Sequence, residues 1–158
     1  MAYEQLKLEN QLCFPFYAVS RLITRAYQDD LDALGITYPQ YLVMMVMWEF
    51  EELSVIEIAD KLVLNTNTVT PLLKRMETME LINRIPSETD HRKVMVKLTE
   101  KGKIMQEAAA IIPMKLVQKL KIDPNKSNIE DINKLKSQLN ALIELLKSPP
   151  PAAASNER

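Results

Sequence analysis

The sequence is poor in glycine, and Gly35 and Gly102 are the only two in 158 residues. Loops that cradle phosphates and glycine-rich nucleotide folds need several glycines, because their backbone adopts positive φ angles or approaches the ligand closely. β-Sandwiches need many turns, which glycine favours. The scarcity of glycine argues against all three classes and favours a helical protein.

Cysteine and long apolar runs are also scarce. Cys13 is the only cysteine, so the chain has no internal disulfide, which fits a reducing, cytoplasmic setting. The longest apolar run, 41–48, has eight residues, whereas a helix that crosses a bilayer needs about 20. The first residues, MAYEQLKLEN, lack the basic start and apolar stretch of a secretory signal. The sequence therefore predicts a cytoplasmic protein without a membrane span.

A strong charge of either sign is absent, because 20 basic residues nearly balance 21 acidic ones and the formal net charge is −1. The distribution is uneven, however. Between residues 61 and 97, seven lysines and arginines stand against four acids, so that segment is positive. A protein that is neutral overall but basic in the middle can bind nucleic acid through one localised surface.

A long first helix is predicted by apolar residues that recur at helical spacing over 8–34. Because proline is tolerated only in a first helical turn, Pro15 places the regular start near residues 11–14. Gly35 is a typical helix stop.

Thr37 is the expected cap of a second helix over 39–49. The surface of this helix is apolar nearly all round, which predicts burial. Its methionines are expected to be core residues rather than a metal or cofactor site.

The middle of the chain has the pattern of a helix-turn-helix. Ser54 and Glu57 form a capping box that begins a short helix. The chain breaks at 63–65, and Asn65 or Thr66 caps the next helix. A short helix, a tight turn and a second helix are the elements of that motif.

A β-hairpin is predicted after the second helix of this motif. Segments 81–86 and 92–99 alternate apolar and polar residues on either side of the polar loop SETDH. A hairpin in this place is typical of a wing.

The C-terminal part is predicted to be helical. A long helix should run from Thr99 to about residue 121, with a kink at Pro113. A turn over 123–128 should precede a last amphipathic helix over 129–147.

The predicted fold is mainly α with a small β wing, a winged helix-turn-helix with long terminal helices. One domain should span 1–147, with a DNA-binding part at about 53–98 and a dimerisation part at about 6–36 and 99–147. The tail, 148–158, has the composition of a disordered end. The terminal helices carry more apolar surface than one small core needs, which indicates a homodimer. The alternative is a single extended helical domain that buries these faces within itself.

Candidate DNA contacts lie at the start of the motif's second helix, which places its first residues in the major groove. The base-reading candidates share hydrogen-bonding side chains: Thr66, Asn67, Thr68 and Thr70. Lys74 and Arg75 follow one to two turns later and are expected to reach phosphates.

The wing supplies a second set of candidates: Arg84, His91, Arg92 and Lys93. Asp90 is expected to hold the guanidinium of Arg92 at a fixed angle, aimed at a minor groove. A solvated basic hairpin is the alternative interpretation of these residues. His91 has no second His, Cys or spaced acid pair beside it, so we predict no metal site and no cofactor.

The order of elements, the run LTEKG after the wing and the sequence Asp90-His91-Arg92 resemble the MarR family of bacterial winged helix-turn-helix repressors. The stretches LKLENQLCFPFYAVSR, TYPQYLVMMVMWE and TVTPLLKRME resemble the organic hydroperoxide-sensing branch of that family. The resemblance covers roughly residues 6–145.

The resemblance implies a homodimeric repressor on a pseudo-palindromic operator. It also implies that an organic hydroperoxide oxidises Cys13 to a sulfenic acid and that DNA is then released. Three tyrosines surround the reactive cysteine in that branch, and the matching positions are Tyr17, Tyr27 and Tyr38, all of them tyrosine.

Two positions depart from the family pattern. Glu80 stands where a glycine commonly forms the turn before the wing, which puts that turn's geometry in question. Asn65-Thr66-Asn67 stands where the branch often has Asp-Ser-Gly, which puts the target sequence in question.

The chemistry around Cys13 fits a sensor in part. A thiolate is the form that reacts with peroxides, and the start of a helix favours an anion. Tyr17 is four residues on and shares the face of Cys13. Tyr27 is fourteen residues on, roughly 21 Å along the helix, so it can reach only a partner subunit's cysteine. The alternative is that these tyrosines are ordinary dimer-interface residues.

Four rival functions remain open from the sequence. The chain could be a regulator released by a small aromatic ligand, a broader oxidation-sensing global regulator, or a helix-turn-helix used only for protein contacts. A thiol peroxidase is the fourth, but no general base is placed near Cys13 and no second cysteine recycles it. We therefore expect no enzymatic activity.

Overall fold

The computed structural model describes residues 3–119 and 128–147, and the chain divides into two compact units, residues 1–116 and 117–158. The described part contains seven α-helices and three β-strands. They are, in chain order, α1 (Cys13–Leu34), α2 (Tyr38–Phe50), β1 (Glu52–Ser54), α3 (Val55–Lys61), α4 (Thr66–Thr78), β2 (Ile82–Pro86), β3 (Val94–Leu98), α5 (Glu100–Ala109), α6 (Ile112–Lys119) and α7 (Asn128–Lys147). None of the described helices is long and apolar enough to cross a membrane.

Helix α1 begins at Cys13, which confirms that Pro15 lies in the first turn. The segment Leu8–Asn10, predicted to belong to this helix, forms a separate 3-10 turn instead. At the other end Gly35 has φ +68°, and its amide donates to the carbonyl of Asp32 at 3.0 Å. The left-handed backbone explains why the helix stops at a glycine.

Helix α2 begins with the predicted cap, because the Thr37 amide donates to the side chain of Gln40 at 2.7 Å. One face of α2 is buried in the core, including Met44 and Met47 at 0% exposure. Met45 is 39% exposed, so the prediction of burial is confirmed for that face and not for the whole circumference.

The helix-turn-helix forms from α3 and α4 as predicted. The Ser54 amide donates to the Glu57 carboxylate at 2.8 Å, which confirms the capping box. Helix α4 starts after Asn65 and continues past Pro71, which removes one hydrogen bond without ending the helix. Its inner face is fully buried against the core: Val69, Leu73 and Met76.

The predicted hairpin is confirmed, and β1 adds a third strand that the sequence pattern missed. The sheet is antiparallel in the order β1-β3-β2, with Leu53 opposite Val96 and Arg84 also opposite Val96. A three-residue strand is too short to show an alternating pattern, so only its pairing with β3 defines it.

The turn before the wing keeps its geometry without a glycine. Glu80 has φ +59°, a conformation that most residues other than glycine avoid. Glu80 therefore adopts the left-handed backbone conformation that a glycine at this position would favour.

The predicted single helix from Thr99 to residue 121 is wrong, because the helix ends at Ala109 and a new one begins at Ile112. Pro113 explains the break. Its ring would clash with the carbonyl of Ala109 in a continuous helix, and its nitrogen has no hydrogen to donate. Pro113 lies instead in the first turn of α6, where proline is tolerated.

Helix α7 forms within the second unit and agrees with the predicted helix over 129–147. Several of its apolar side chains are exposed: Ile132, Leu135, Ile143, Leu145 and Leu146. The predicted turn at 123–128, apart from Asn128, and the predicted disordered tail at 148–158 lie outside the described residues.

Candidate nucleic-acid interface and cysteine site

The first turn of α4 presents polar side chains to solvent. Thr66, Asn67 and Thr68 are exposed. With 3.6 residues per turn, Asn67 lies opposite the buried face of α4 and on the same side as Lys74. Asn67 therefore projects away from the core at the N-terminal end of α4.

Thr70 is placed less openly than the other three base-reading candidates. It is half-buried, and its hydroxyl donates to the carbonyl of Thr66 at 2.7 Å. Its oxygen keeps accepting capacity, but its hydrogen is already used.

The wing loop contains the expected pair of Asp90 and Arg92. The Arg92 Nε atom lies 3.1 Å from Asp90 Oδ1, and the Arg92 amide donates to the same oxygen at 3.1 Å. These bonds lower the pKa of the Asp90 carboxyl below its usual value. The Arg92 side chain is still 91% exposed. Asp90 therefore holds one edge of the guanidinium, and the rest of the guanidinium is open to a partner.

Arg84 differs from the other wing cations because it faces the protein. Its side chain is 15% exposed, and Nη1 lies 3.6 Å from the Glu77 carboxylate of α4. Its backbone amide donates to the same carboxylate at 3.0 Å. The buried Nε atom has no hydrogen-bond partner among the described residues. Arg84 thus ties the wing to α4.

A groove of about 300 Å³ lies between the start of α4 and the wing. The structure brings five of the predicted DNA contacts to its walls: Thr66, Thr70, Arg84, Arg92 and Lys93. Lys74, Arg75 and His91 are exposed outside it. The cationic and hydroxyl-bearing residues that line the groove therefore lie close to one another.

Cys13 is exposed and is the first residue of α1. Tyr17, one turn later, is 63% exposed. The helix is continuous to Leu34, so Tyr27 lies about 21 Å from Cys13 of its own chain. The structure does not bring these two residues together within one chain, as the spacing predicted.

Tyr27 and Tyr38 do meet, with ring centroids 5.2 Å apart. Burial, and then the neighbouring Tyr38, raise the pKa of the Tyr27 hydroxyl, and burial raises the pKa of Tyr38. Both hydroxyls are therefore protonated at neutral pH and can donate hydrogen bonds.

Tyr41 completes this group, although the sequence reasoning placed it only in the core. Its ring lies 5.8 Å from that of Tyr27 and 6.3 Å from that of Trp48. The available signal was its position one turn after Tyr38 on the same helix.

The N-terminal part of α1 carries an unpartnered apolar surface. Its large exposed side chains include Phe14, Phe16, Val19 and Leu22, each at least 38% exposed. Exposure of so much apolar area near Cys13 is typical of a surface that another chain covers.

Known proteins resemble this chain in sequence and in structure. The family model for the transcriptional regulators SarA/Rot matches residues 25–108. The organic hydroperoxide resistance transcriptional regulator of Bacillus subtilis (strain 168) is 45% identical over 144 residues, which cover 91% of this chain and 95% of that protein.

Two solved forms of AbfR, a protein of Staphylococcus epidermidis, have a similar fold. Reduced AbfR bound to DNA has a TM-score of 0.74 and 33% identity, covering 94% of this chain and 100% of that one. Disulfide-formed AbfR has a TM-score of 0.61 and 34% identity, covering 90% and 94%.

Proposed function

The chain belongs to the SarA/Rot family of MarR-type winged-helix transcriptional regulators, and on that premise we propose a function for it. The regulators of this family bind DNA and are not enzymes. The protein is a cytoplasmic, dimeric repressor that binds a pseudo-palindromic operator when reduced. An organic hydroperoxide oxidises Cys13, and the operator is released. The observation that carries the proposal is the exposed Cys13 at the first turn of α1, in a chain 45% identical to an organic hydroperoxide resistance regulator.

The reaction at Cys13 needs only the peroxide. The thiolate sulfur attacks one peroxide oxygen, the O–O bond breaks, and the alkoxide leaves and takes up a proton as the alcohol. Two electrons pass from sulfur to the peroxide, and the sulfur becomes a sulfenic acid. The thiolate is the form of a cysteine that attacks a peroxide. Apolar neighbours such as Phe14 and Phe16 favour an alkyl peroxide over hydrogen peroxide.

A dimer makes the sensor complete. Tyr27 and Tyr38 of one chain lie far from that chain's Cys13, and their protonated hydroxyls are good donors to an anionic sulfur. We infer that they serve Cys13 of the partner chain. The exposed apolar surface of α1 supports an interface that would bring the two together.

A mixed dimer tests this arrangement directly. One subunit carries Cys13→Ser and the other carries Tyr27→Phe with Tyr38→Phe, and two affinity tags isolate the pair. Its one remaining cysteine then faces intact tyrosines only if the site is shared. We expect that cysteine to react with cumene hydroperoxide at the wild-type rate, measured by trapping the sulfenic acid.

The double tyrosine variant as a homodimer is the matched control. It should react at least about a hundredfold more slowly, since each of the two lost hydrogen bonds to a charged group costs about 1.5–3 kcal/mol. A mixed dimer that reacts as slowly as this control would place the tyrosines and cysteine in one chain. A wild type that keeps its operator after Cys13 is oxidised would refute the proposed release.

Two substitutions in α4 distinguish a side chain that reads a base from one that contacts a phosphate. Asn67 projects from the start of α4 and can pair with adenine, so Asn67→Ala should relax selectivity at one base pair of each half-site by about 1–3 kcal/mol. Lys74→Ala, on the same face, should weaken binding to all sequences alike and lower the salt slope by about one for each subunit of the dimer. Binding to an operator library at several salt concentrations checks both. Equal losses for every base in Asn67→Ala would contradict the assignment.

A further inference from the structure

Gln40 joins the start of α2 to the end of the recognition helix α4. Its side chain is 5% exposed, so both ends of the amide need partners. Its Oε1 atom accepts from the amide of Thr37 at 2.7 Å and from the hydroxyl at 3.1 Å. Its Nε2 atom donates to the sulfur of Met79 at 3.3 Å, and Met79 is the residue that ends α4. A buried amide thus bonds the first turn of one helix to the end of the other.

Trp48 makes a second link near the other end of α2. Its indole Nε1 donates to the carbonyl of Gly102 at 2.9 Å. Gly102 lies in the first turn of α5, and the absence of a Cβ lets it pack directly on the carbonyl of Leu81. Leu81 in turn lies between the end of α4 and the start of β2.

Both links end in one small region, residues 79–81 and 99–102, which we name the wing root. The Thr99 hydroxyl donates to the Glu80 carbonyl at 2.6 Å, and the Thr99 amide donates to the Leu81 carbonyl at 3.2 Å. Lys101 Nζ donates to the Met79 carbonyl at 2.8 Å. Because these bonds tie its two segments together, a displacement of the wing root moves the end of the recognition helix and the base of the wing.

One of the sensor tyrosines, Tyr38, is carried by the same helix. Tyr38 is the first residue of α2, and Tyr41 contacts the rings of both Tyr27 and Trp48. A helix of 13 residues moves nearly as a rigid body, so altered packing at Tyr38 also displaces Gln40 and Trp48.

We propose that α2 couples oxidation of the cysteine site to DNA release, and that Gln40 and Trp48 are positioning residues that transmit it to the wing root. The inference rests on the proposed redox function. It adds a physical connection between two sites that share no residue.

The test uses a full-length double variant, Met79→Leu with Trp48→Phe. It removes the sulfur acceptor and the indole donor but keeps the α2 cap, an apolar side chain at both positions and every tyrosine. Met45→Leu is the matched control, because Met45 lies on the exposed face of the same helix. The measurement is the operator Kd of each protein, reduced and after cumene hydroperoxide, with oxidation of Cys13 verified by mass.

Wild type and Met45→Leu should show the same ratio of oxidised to reduced Kd. In the double variant this ratio should fall toward one, by up to about fivefold for each hydrogen bond lost, while Cys13 oxidises at the wild-type rate. A double variant with the wild-type ratio would overturn the coupling and leave the redox function standing. A wild type that keeps its operator with Cys13 fully oxidised would overturn both.

Hydrogen exchange on the wild type decides the matter if the double variant does not fold. Oxidation should speed amide exchange in peptides that contain residues 79–81, relative to the reduced protein. Unchanged exchange there, in a protein that has released its operator, would overturn the coupling without touching the redox function.

Discussion

A Cys13→Ser protein is expected to stay on its operator after treatment with an organic hydroperoxide that removes the wild type. Serine keeps the size of cysteine, but its hydroxyl does not ionise at neutral pH and is not oxidised by a peroxide. Cys13 is exposed in the first turn of α1, outside the recognition helix and the wing. The reduced variant should therefore bind DNA as the wild type does. Oxidation should weaken the wild type by about 5–150-fold, the range of coupling free energies of 1–3 kcal/mol, and leave the variant unchanged.

Exposed methionine provides the control for this experiment, since methionine is the other side chain that peroxides oxidise readily. Met114 is 68% exposed, so Met114→Leu removes an accessible sulfur while leaving Cys13 in place. This control should still release the operator. If Met114→Leu stays bound and Cys13→Ser lets go, the sensing atom is a methionine sulfur and the assignment of Cys13 is wrong.

A Gly102→Ala protein is expected to lose stability by about 2 kcal/mol or more. A Cβ at this position would lie well inside the van der Waals contact distance to the Leu81 carbonyl oxygen and close to the Leu98 side chain. Alanine gains about 1 kcal/mol of helix propensity over glycine. Overpacking against a backbone atom costs typically 1–3 kcal/mol and occasionally more, and here it should exceed that gain. Urea denaturation measures the change in the free energy of unfolding.

Gly35→Ala distinguishes the cost of a steric clash from the cost of a left-handed backbone conformation. Gly35 has φ +68°, but no atom lies within 4 Å of where its Cβ would be. Its replacement should cost about 1 kcal/mol, from the left-handed backbone alone. Gly102→Ala should be the more destabilising of the two. Equal stability of Gly102→Ala and wild type would show that α5 does not pack this closely on Leu81.

The elements that depend on neighbouring residues were predictable from the sequence. Pro15 and Gly35 mark the first turn and the end of α1, because their backbone preferences act within one turn of the helix. The capping box of Ser54 and Glu57 joins residues three apart and begins α3. The change from helical to alternating periodicity located the hairpin in the same way.

The recognition helix and the wing are therefore predictable without knowledge of any contact between them. The break between α5 and α6 was predicted only as a kink in one helix. Pro113 gave the signal, but the pattern alone did not decide between a kinked helix and two helices.

Tertiary structure decided the contacts between residues distant in sequence. Strand β1 exists because Leu53 pairs with Val96. The sequence of a three-residue strand does not indicate which distant strand it pairs with. Arg84 has the sequence signature of a solvated wing cation, yet Glu77 of α4 holds it against the protein. No periodicity indicated that bond.

The sequence by itself determined which residue carries the thiol, where the recognition helix begins and which segment forms the wing. Each of these depends on residue type or on contacts within a few positions along the chain. The tyrosine cluster and the bonds of Gln40 and Trp48 to the wing root depended on the fold, because they join residues up to 54 positions apart. Only the packing of the helices brings those groups within hydrogen-bonding distance.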